Sequence, residues 1–189
     1  MTNRVASGPV EPSRPVPDNP VPDKKDWTWV LEEPCAECGF DARNVTGADV
    51  PAVIRDAVAR WGPVLSRPDA AARPRPEVWS PLEYGCHTRD VFTRFEERVQ
   101  LMLSEDDPEF ENWDQDATAI ADRYWAQDPV LVSGALAAAG ERIAATFESV
   151  AGDQWQRSGR RSNGDAFTVD SIGRYFAHDV VHHLADVRA

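Results

Sequence analysis

The chain has 189 residues, 42 % of them hydrophobic, with a formal charge of -12. This is enough apolar material for one packed domain and too much for a wholly disordered chain, while the acidity argues against nucleic acid or an anionic membrane surface as partner. No apolar run approaches the roughly 20 residues of a membrane span, and the N-terminus lacks the apolar core of a secretion signal, so the cytoplasm is the expected location.

From Met1 to Asp26 the sequence is dense in proline, as in GPVEPSRPVPDNPVPDKK. Proline removes backbone donors and fixes φ, so residues 1–26 are expected to form an extended, disordered tail. Its four cations and four anions cancel, which leaves the whole negative charge to residues 27–189. The lead-in WTWVLEEPCAECGFDARN carries aromatics and a C-x-x-C without helical periodicity, so it is expected to be ordered but not helical.

Four helices follow from apolar residues recurring at three and four positions. The first spans about Ala48–Leu65, with Val50, Ile54, Ala57, Trp61 and Leu65 on one stripe and Gly62-Pro63 as a stop or kink. The second opens on the capping box Ser80-Pro81-Leu82-Glu83 and runs to about Ser104. The third starts at Asp128-Pro129 and places Val132, Leu136, Ile143 and Phe147 on one face. The fourth covers Val169–Val187, with Ile172, Phe176, Val180 and Leu184 inward. About 24 residues separate helices two and three, containing NWDQD and a short helix at AIADRYW. A connection that long is unusual in a compact bundle and often functional. The stretch GDQWQRSGRRSNGDAFTV before the fourth helix reads as a turn-rich loop. The expected fold is an all-α four-helix bundle with a long crossover between helices two and three.

Three of the four histidines fall within six residues. His178 and His182 are separated by one helical turn, so their Cβ atoms lie about 5–6 Å apart on one face, close enough to share an ion. Arg174 and Asp186 extend that line as a polar stripe. His87, early in helix two, is the expected third ligand, supplied from across the bundle. Three neutral histidines would leave a divalent ion with an open position. His183 points about 100° away from His182 and is expected at the surface or behind the ligands. An H-x-x-x-H pair also arises on solvated helices, so the pair alone is weak evidence.

Cys35 and Cys38 need two further ligands to form a zinc knuckle. Cys86 and His87 are candidates for those places, at the cost of removing His87 from helix four. A local structural element ranks first for the C-x-x-C, a second metal site next, and a redox motif last, because no thioredoxin-like strand–helix context is present. Cys86 itself reads as a small buried residue. Asp114 and Asp116 are candidates for a catalytic base, weighed against plain capping of the short helix. Trp113 and Arg161 are candidates for cosubstrate binding, and Arg160-Arg161 together for gripping an anionic substrate.

WSPLEYGCHTRDV, NWDQD and FTVDSIGRYFAHDVVHHLADV together resemble the DinB-like superfamily, near its mycothiol-dependent maleylpyruvate isomerases and mycothiol S-transferases. The resemblance extends over roughly Trp27–Val187. It implies a metal triad at His87, His178 and His182, where one branch has a glutamate at the position of His178. It also implies a divalent ion, zinc first, with nickel, iron or manganese as alternatives, and mycothiol or a similar low-molecular-weight thiol as cosubstrate. The expected function is thiol S-transfer to an electrophilic small molecule. A thiol-dependent isomerase, a specialised biosynthetic enzyme on the same scaffold, or a metal-binding stress protein without turnover stand as alternatives. The expected partners are the thiol and the electrophile, with a homodimer left open.

Overall fold

A computed structural model describes residues 26–189. The proline-rich tail expected over residues 1–26 therefore lies almost entirely outside the described residues. Four long helices, α1 (Val50–Leu65), α2 (Pro81–Ser104), α4 (Pro129–Glu148) and α5 (Val169–Asp186), form the bundle, with a short α3 (Gln115–Ala121) in the crossover. α4 packs against both α1 and α2, and α5 packs against the same two helices from the other side. Around the bundle the order is therefore α1, α4, α2, α5.

Each boundary follows from local chemistry. Ser80 Oγ accepts from the Glu83 amide at 3.2 Å, and Glu83 Oε2 accepts from the Ser80 amide at 2.8 Å, completing the expected capping box. Glu83 is buried, and its charge is met by Arg73 at 2.5 Å. Asp128 caps α4 ahead of Pro129, and Thr168 caps α5. Pro63 lies inside the last turn of α1, which continues to Leu65 instead of stopping at Gly62. α3 starts at Gln115, earlier than the AIADRYW segment, because Asp114 caps it there; a 3-10 turn, Tyr124–Ala126, follows.

The core is a single apolar cluster drawn from all four long helices, including Ile54, Trp61, Phe92, Ile143, Phe147 and Phe176. α4 passes, by length and composition, as a membrane-spanning helix, with a mean hydropathy of 1.3 over its most apolar window. Glu141 and Arg142 interrupt it, so no continuous apolar run of that length is present. Its inner face, Val132, Leu136, Ala139, Ile143 and Phe147, is spent on contacts with α1 and α2.

The loop expected before α5 contains structure. β2 (Ser158–Arg161) and β3 (Ala166–Thr168) form an antiparallel hairpin, turned by Gly164 at φ +101. β1 (Glu109–Phe110), from the crossover, adds to β2 in parallel. These strands are too short to show alternation in sequence, but the sheet fixes the crossover: Ser162 donates its amide to Phe110 O, and Asn112 donates to Ser162 Oγ. Asn112-Trp113 is thereby held beside the middle of the bundle.

Candidate metal centre

α5 presents three faces. Ile172, Phe176, Val180 and Leu184 enter the core. On one flank Asp170, Arg174, His178 and His182, four residues apart, meet the N-terminal lead-in. Asp170 accepts from the Gly47 amide at 2.7 Å, and Arg174 Nε donates to Ala42 O at 2.8 Å. On the other flank Tyr175, Asp179 and His183 turn toward α2 and the crossover, where His87 stands.

The structure divides the expected triad. His87, Asp179 and His183 each offer a ligand atom, and these atoms all lie within 4.8 Å of one another. His178 and His182 form a separate group of the same tightness with Cys35 and Cys38. Their rings lie 5.2 Å apart, as the helical spacing requires, but the lead-in faces them where His87 was expected. His183, expected from sequence at the surface or behind the ligands, is the histidine that meets His87, with ring centroids 4.7 Å apart and nearly perpendicular. The physical reason is a single 100° step: 179/183 and 178/182 are equivalent i, i+4 pairs, and only the rotation of α5 against α2 distinguishes them.

The His87 cluster has the features of a divalent-ion site. His87 is buried, and its Nδ1 has no hydrogen-bond partner among the described residues. A buried ring nitrogen in that state normally finds a donor or a metal. His183 Nδ1 donates to Asp186 Oδ2 at 2.9 Å, and its Nε2 lies 3.4 Å from Asp179 Oδ1. A carboxylate behind one imidazole nitrogen fixes the tautomer and leaves the other nitrogen for an ion. Trp113 stacks on His87 at 5.3 Å with planes 5° apart, and Trp79 packs near it at 5.3 Å. Burial, reinforced by the His183 charge, holds the His87 imidazole down to about 3, so it is neutral and able to ligate at physiological pH. Burial opposes charging of His183 as well, but the Asp179 and Asp186 carboxylates outweigh it and hold its imidazolium up to about 9, so an ion would bind there by displacing that proton. Two histidines, one carboxylate and an open side form the donor set of a catalytic metal.

The cluster sits between two clefts. One, of about 510 Å³, is lined by Trp27, Glu37, Trp79, Asp116, Asp179 and His183 among others. The other, of about 370 Å³, is lined by His87, Arg98, Asn112, Arg161, Asn163 and Asp179. Trp113, Gln115, Tyr175 and Asp179 border both. The first is rich in carboxylates, the second in cations and amides. Arg161 lies over the Tyr175 ring at 4.7 Å, and Arg98 over Phe95 and Phe110 at 5.2 and 5.1 Å. Burial pulls Arg98 down to about 10, and Arg161 nearby adds to this, yet Arg98 remains a cation at neutral pH.

The remaining sequence candidates fall as follows. Asp114 accepts from the Ala117 amide at 2.8 Å as the cap of α3, which is the structural alternative considered for it, although it borders the larger cleft. Asp116 is in the first turn of α3 and lines the same cleft. Neither belongs to the metal-type groups. Trp113 Nε1 donates to Thr118 Oγ1 at 2.7 Å, and the ring forms a wall against His87. Arg161 reaches the cleft, whereas Arg160 pairs with Asp107 on the outer side. Cys86 is buried with Sγ near Tyr124 O, and burial pushes its thiol up to about 12, in keeping with a packing role. The residues that sequence reasoning passed over are Asp179 and Arg98. The D-x-x-x-H spacing of Asp179 and His183 was visible, but it runs alongside the more conspicuous H-x-x-x-H.

A helical bundle with a buried histidine–carboxylate cluster open to two clefts defines a metal-binding type of protein. The chain belongs to the DinB superfamily, whose family profile matches residues 52–187. A solved structure from Bacillus subtilis, YfiT, described as a probable metal-dependent hydrolase with an unusual four-helix bundle topology, shares the fold with a TM-score of 0.59. The alignment covers 89 % of this chain and 90 % of YfiT at 19 % identity. Comparison with curated protein sequences gives no match.

Proposed function

We propose that this protein is a cytoplasmic metal-dependent transferase that joins a low-molecular-weight thiol, of the mycothiol class, to an electrophilic small molecule bearing an anionic group. The observation that carries the reading is that His87, buried and with its Nδ1 unpartnered among the described residues, is grouped with Asp179 and His183 at the junction of two clefts, their ligand atoms all within 4.8 Å of one another. A divalent ion held there, zinc by the donor set, supplies the Lewis-acid charge that keeps a thiol deprotonated at neutral pH. Asp186 orients His183, and the Trp113 face fixes the His87 ring, so the donor set is in place before any substrate arrives. Arg98 and Arg161 border the smaller cleft and suit the anionic end of the electrophile. In the reaction the thiol passes its S–H proton to water in the cleft, and the thiolate sulfur forms a bond to the electrophilic carbon. The electron pair displaced from carbon leaves with the departing group or is protonated in turn. Thiol use rests on the resemblance of WSPLEYGCHTRDV and the α5 sequence to the mycothiol branch. The likeness to YfiT favours a second reading, in which water takes the place of the thiol.

The test is product analysis with zinc-loaded protein, a halogenated or unsaturated carboxylate, and thiol present or absent. Thiol-dependent conjugate formation should fall at least about 100-fold in Asp179→Asn and His183→Ala, the scale on which a preorganised electrostatic partner acts. Turnover without thiol that gives the hydrolysed product would replace transfer by hydrolysis. Activity indifferent to both substitutions would remove the metal reading altogether.

A further inference from the structure

The C-x-x-C is not absorbed by the reading above, and neither is the conspicuous histidine pair. We propose that Cys35, Cys38, His178 and His182 form a second, closed zinc site that fastens the N-terminal lead-in to α5, and that its role is structural. All four ligand atoms lie within 4.8 Å of one another. A tetrahedral zinc ion with the usual bond lengths places its ligand atoms about 3.3–3.8 Å apart, so small side-chain adjustments close the set. One edge already has that length: Cys35 Sγ lies 3.7 Å from His182 Nδ1. His178 Nε2 is buried and has no hydrogen-bond partner among the described residues, which is a second, independent sign of an absent ligand.

The lead-in has the shape of a zinc knuckle. The Gly39 amide donates to Cys35 O at 2.8 Å, and the Cys35 amide donates to Phe40 O at 2.8 Å. Gly39 stands at φ +78, a conformation that glycine adopts without strain, and it follows directly on Cys38. The tight turn brings both sulfurs toward α5. Behind the ligands, Glu37 and Asp186 carboxylates lie 3.7 and 3.9 Å from His182 Nε2, and the Trp27 ring packs on both histidines at 5.4 and 5.0 Å. With an ion on Nδ1, those carboxylates would take the remaining N–H of His182. Two thiolates and two neutral imidazoles balance a 2+ ion, and four protein ligands leave no open position, which separates this site from the His87 cluster. Trp27 and Glu37 line the larger cleft, so the knuckle also forms part of the wall beside the proposed reaction centre.

The experiment uses full-length protein without added thiol. Wild type should hold about two zinc ions per chain by elemental mass spectrometry, Cys35→Ser/Cys38→Ser about one, and His87→Ala about one. Cobalt-substituted wild type should show a sulfur-to-cobalt charge-transfer band that survives His87→Ala and disappears in the double cysteine variant. Should that variant fail to fold, His178→Cys tests the same point, because a three-cysteine, one-histidine set still binds zinc; its band should intensify. A double cysteine variant with undiminished metal would overturn the proposal. So would wild type without the band, a His178→Cys spectrum unchanged from wild type, or Cys35 and Cys38 joined as a disulfide in the native protein. Failure of the His87 cluster to bind metal would leave these cysteine readouts unaffected, so the two sites stand or fall separately.

Discussion

Asp186 is the residue on which the two clusters converge. Its Oδ2 accepts from His183, while its Oδ1 lies 3.9 Å from His182 on the other flank. One carboxylate at the end of α5 therefore stands behind an imidazole of each group. Removing a carboxylate that orients a ligating histidine typically costs a factor of about 10–100 in metal affinity. Asp186→Ala should show a loss of that size at the His87 cluster, measured by chelator competition in the Cys35→Ser/Cys38→Ser background, where only that cluster remains. An unchanged affinity would mean that His183 is held in place by packing alone. Trp113 provides the other support, since its parallel face against His87 leaves that ring little rotational freedom.

At the scale of elements, the site depends on how closely α4 approaches its neighbours. A Cβ built on Gly140 would come within 2.5 Å of Val58 Cγ2 on α1 and 3.0 Å of Phe92 Cε2 on α2. Phe92 in turn packs on Phe176 of α5, with ring centroids 5.7 Å apart. The glycine therefore sets a spacing that reaches α5 through one aromatic contact. Gly140→Ala should lower stability by about 1–3 kcal/mol, the usual cost of overpacking, in spite of its higher helix propensity. Urea denaturation checks this, and an increase in stability would show that Val58 can move aside freely. The crossover was recognisable as long and therefore worth suspecting. Its anchoring to the hairpin was not, because β1 has only two residues and its partners lie about fifty positions away.

For the whole molecule, a zinc ion in the Cys–His group should matter most to the lead-in. Among the described residues its attachments to α5 include the Asp170–Gly47 and Arg174–Ala42 hydrogen bonds, with the Cys–His group at the far end. The bundle beneath has its own continuous core. Stripping both sites with a chelator should therefore expose the lead-in first. Limited proteolysis should cut between residues 26 and 49 while the four long helices persist by circular dichroism. Simultaneous loss of helix and lead-in would show that the metal stabilises the whole fold. No such cut should appear in zinc-loaded protein.

The sequence by itself determined the four long helices. Their caps are short-range chemistry, as at Ser80-Glu83 and Asp128-Pro129, and their apolar spacing depends only on helical geometry. It also singled out the ligand-type side chains gathered on α5, and His87 on α2, as the residues to examine. The pairing was beyond it. α5 carries two i, i+4 ligand pairs displaced by one residue, and a periodicity argument treats them alike. The packing of α5 between α1 and α2 sets its rotation, and that rotation gives Asp179 and His183 to His87 and leaves His178 and His182 to the cysteines of the lead-in. Tertiary structure alone decided this, because the partners are brought together across 92 to 147 positions of chain, from His87 to Asp179 and from Cys35 to His182. No local pattern encodes contacts at that distance.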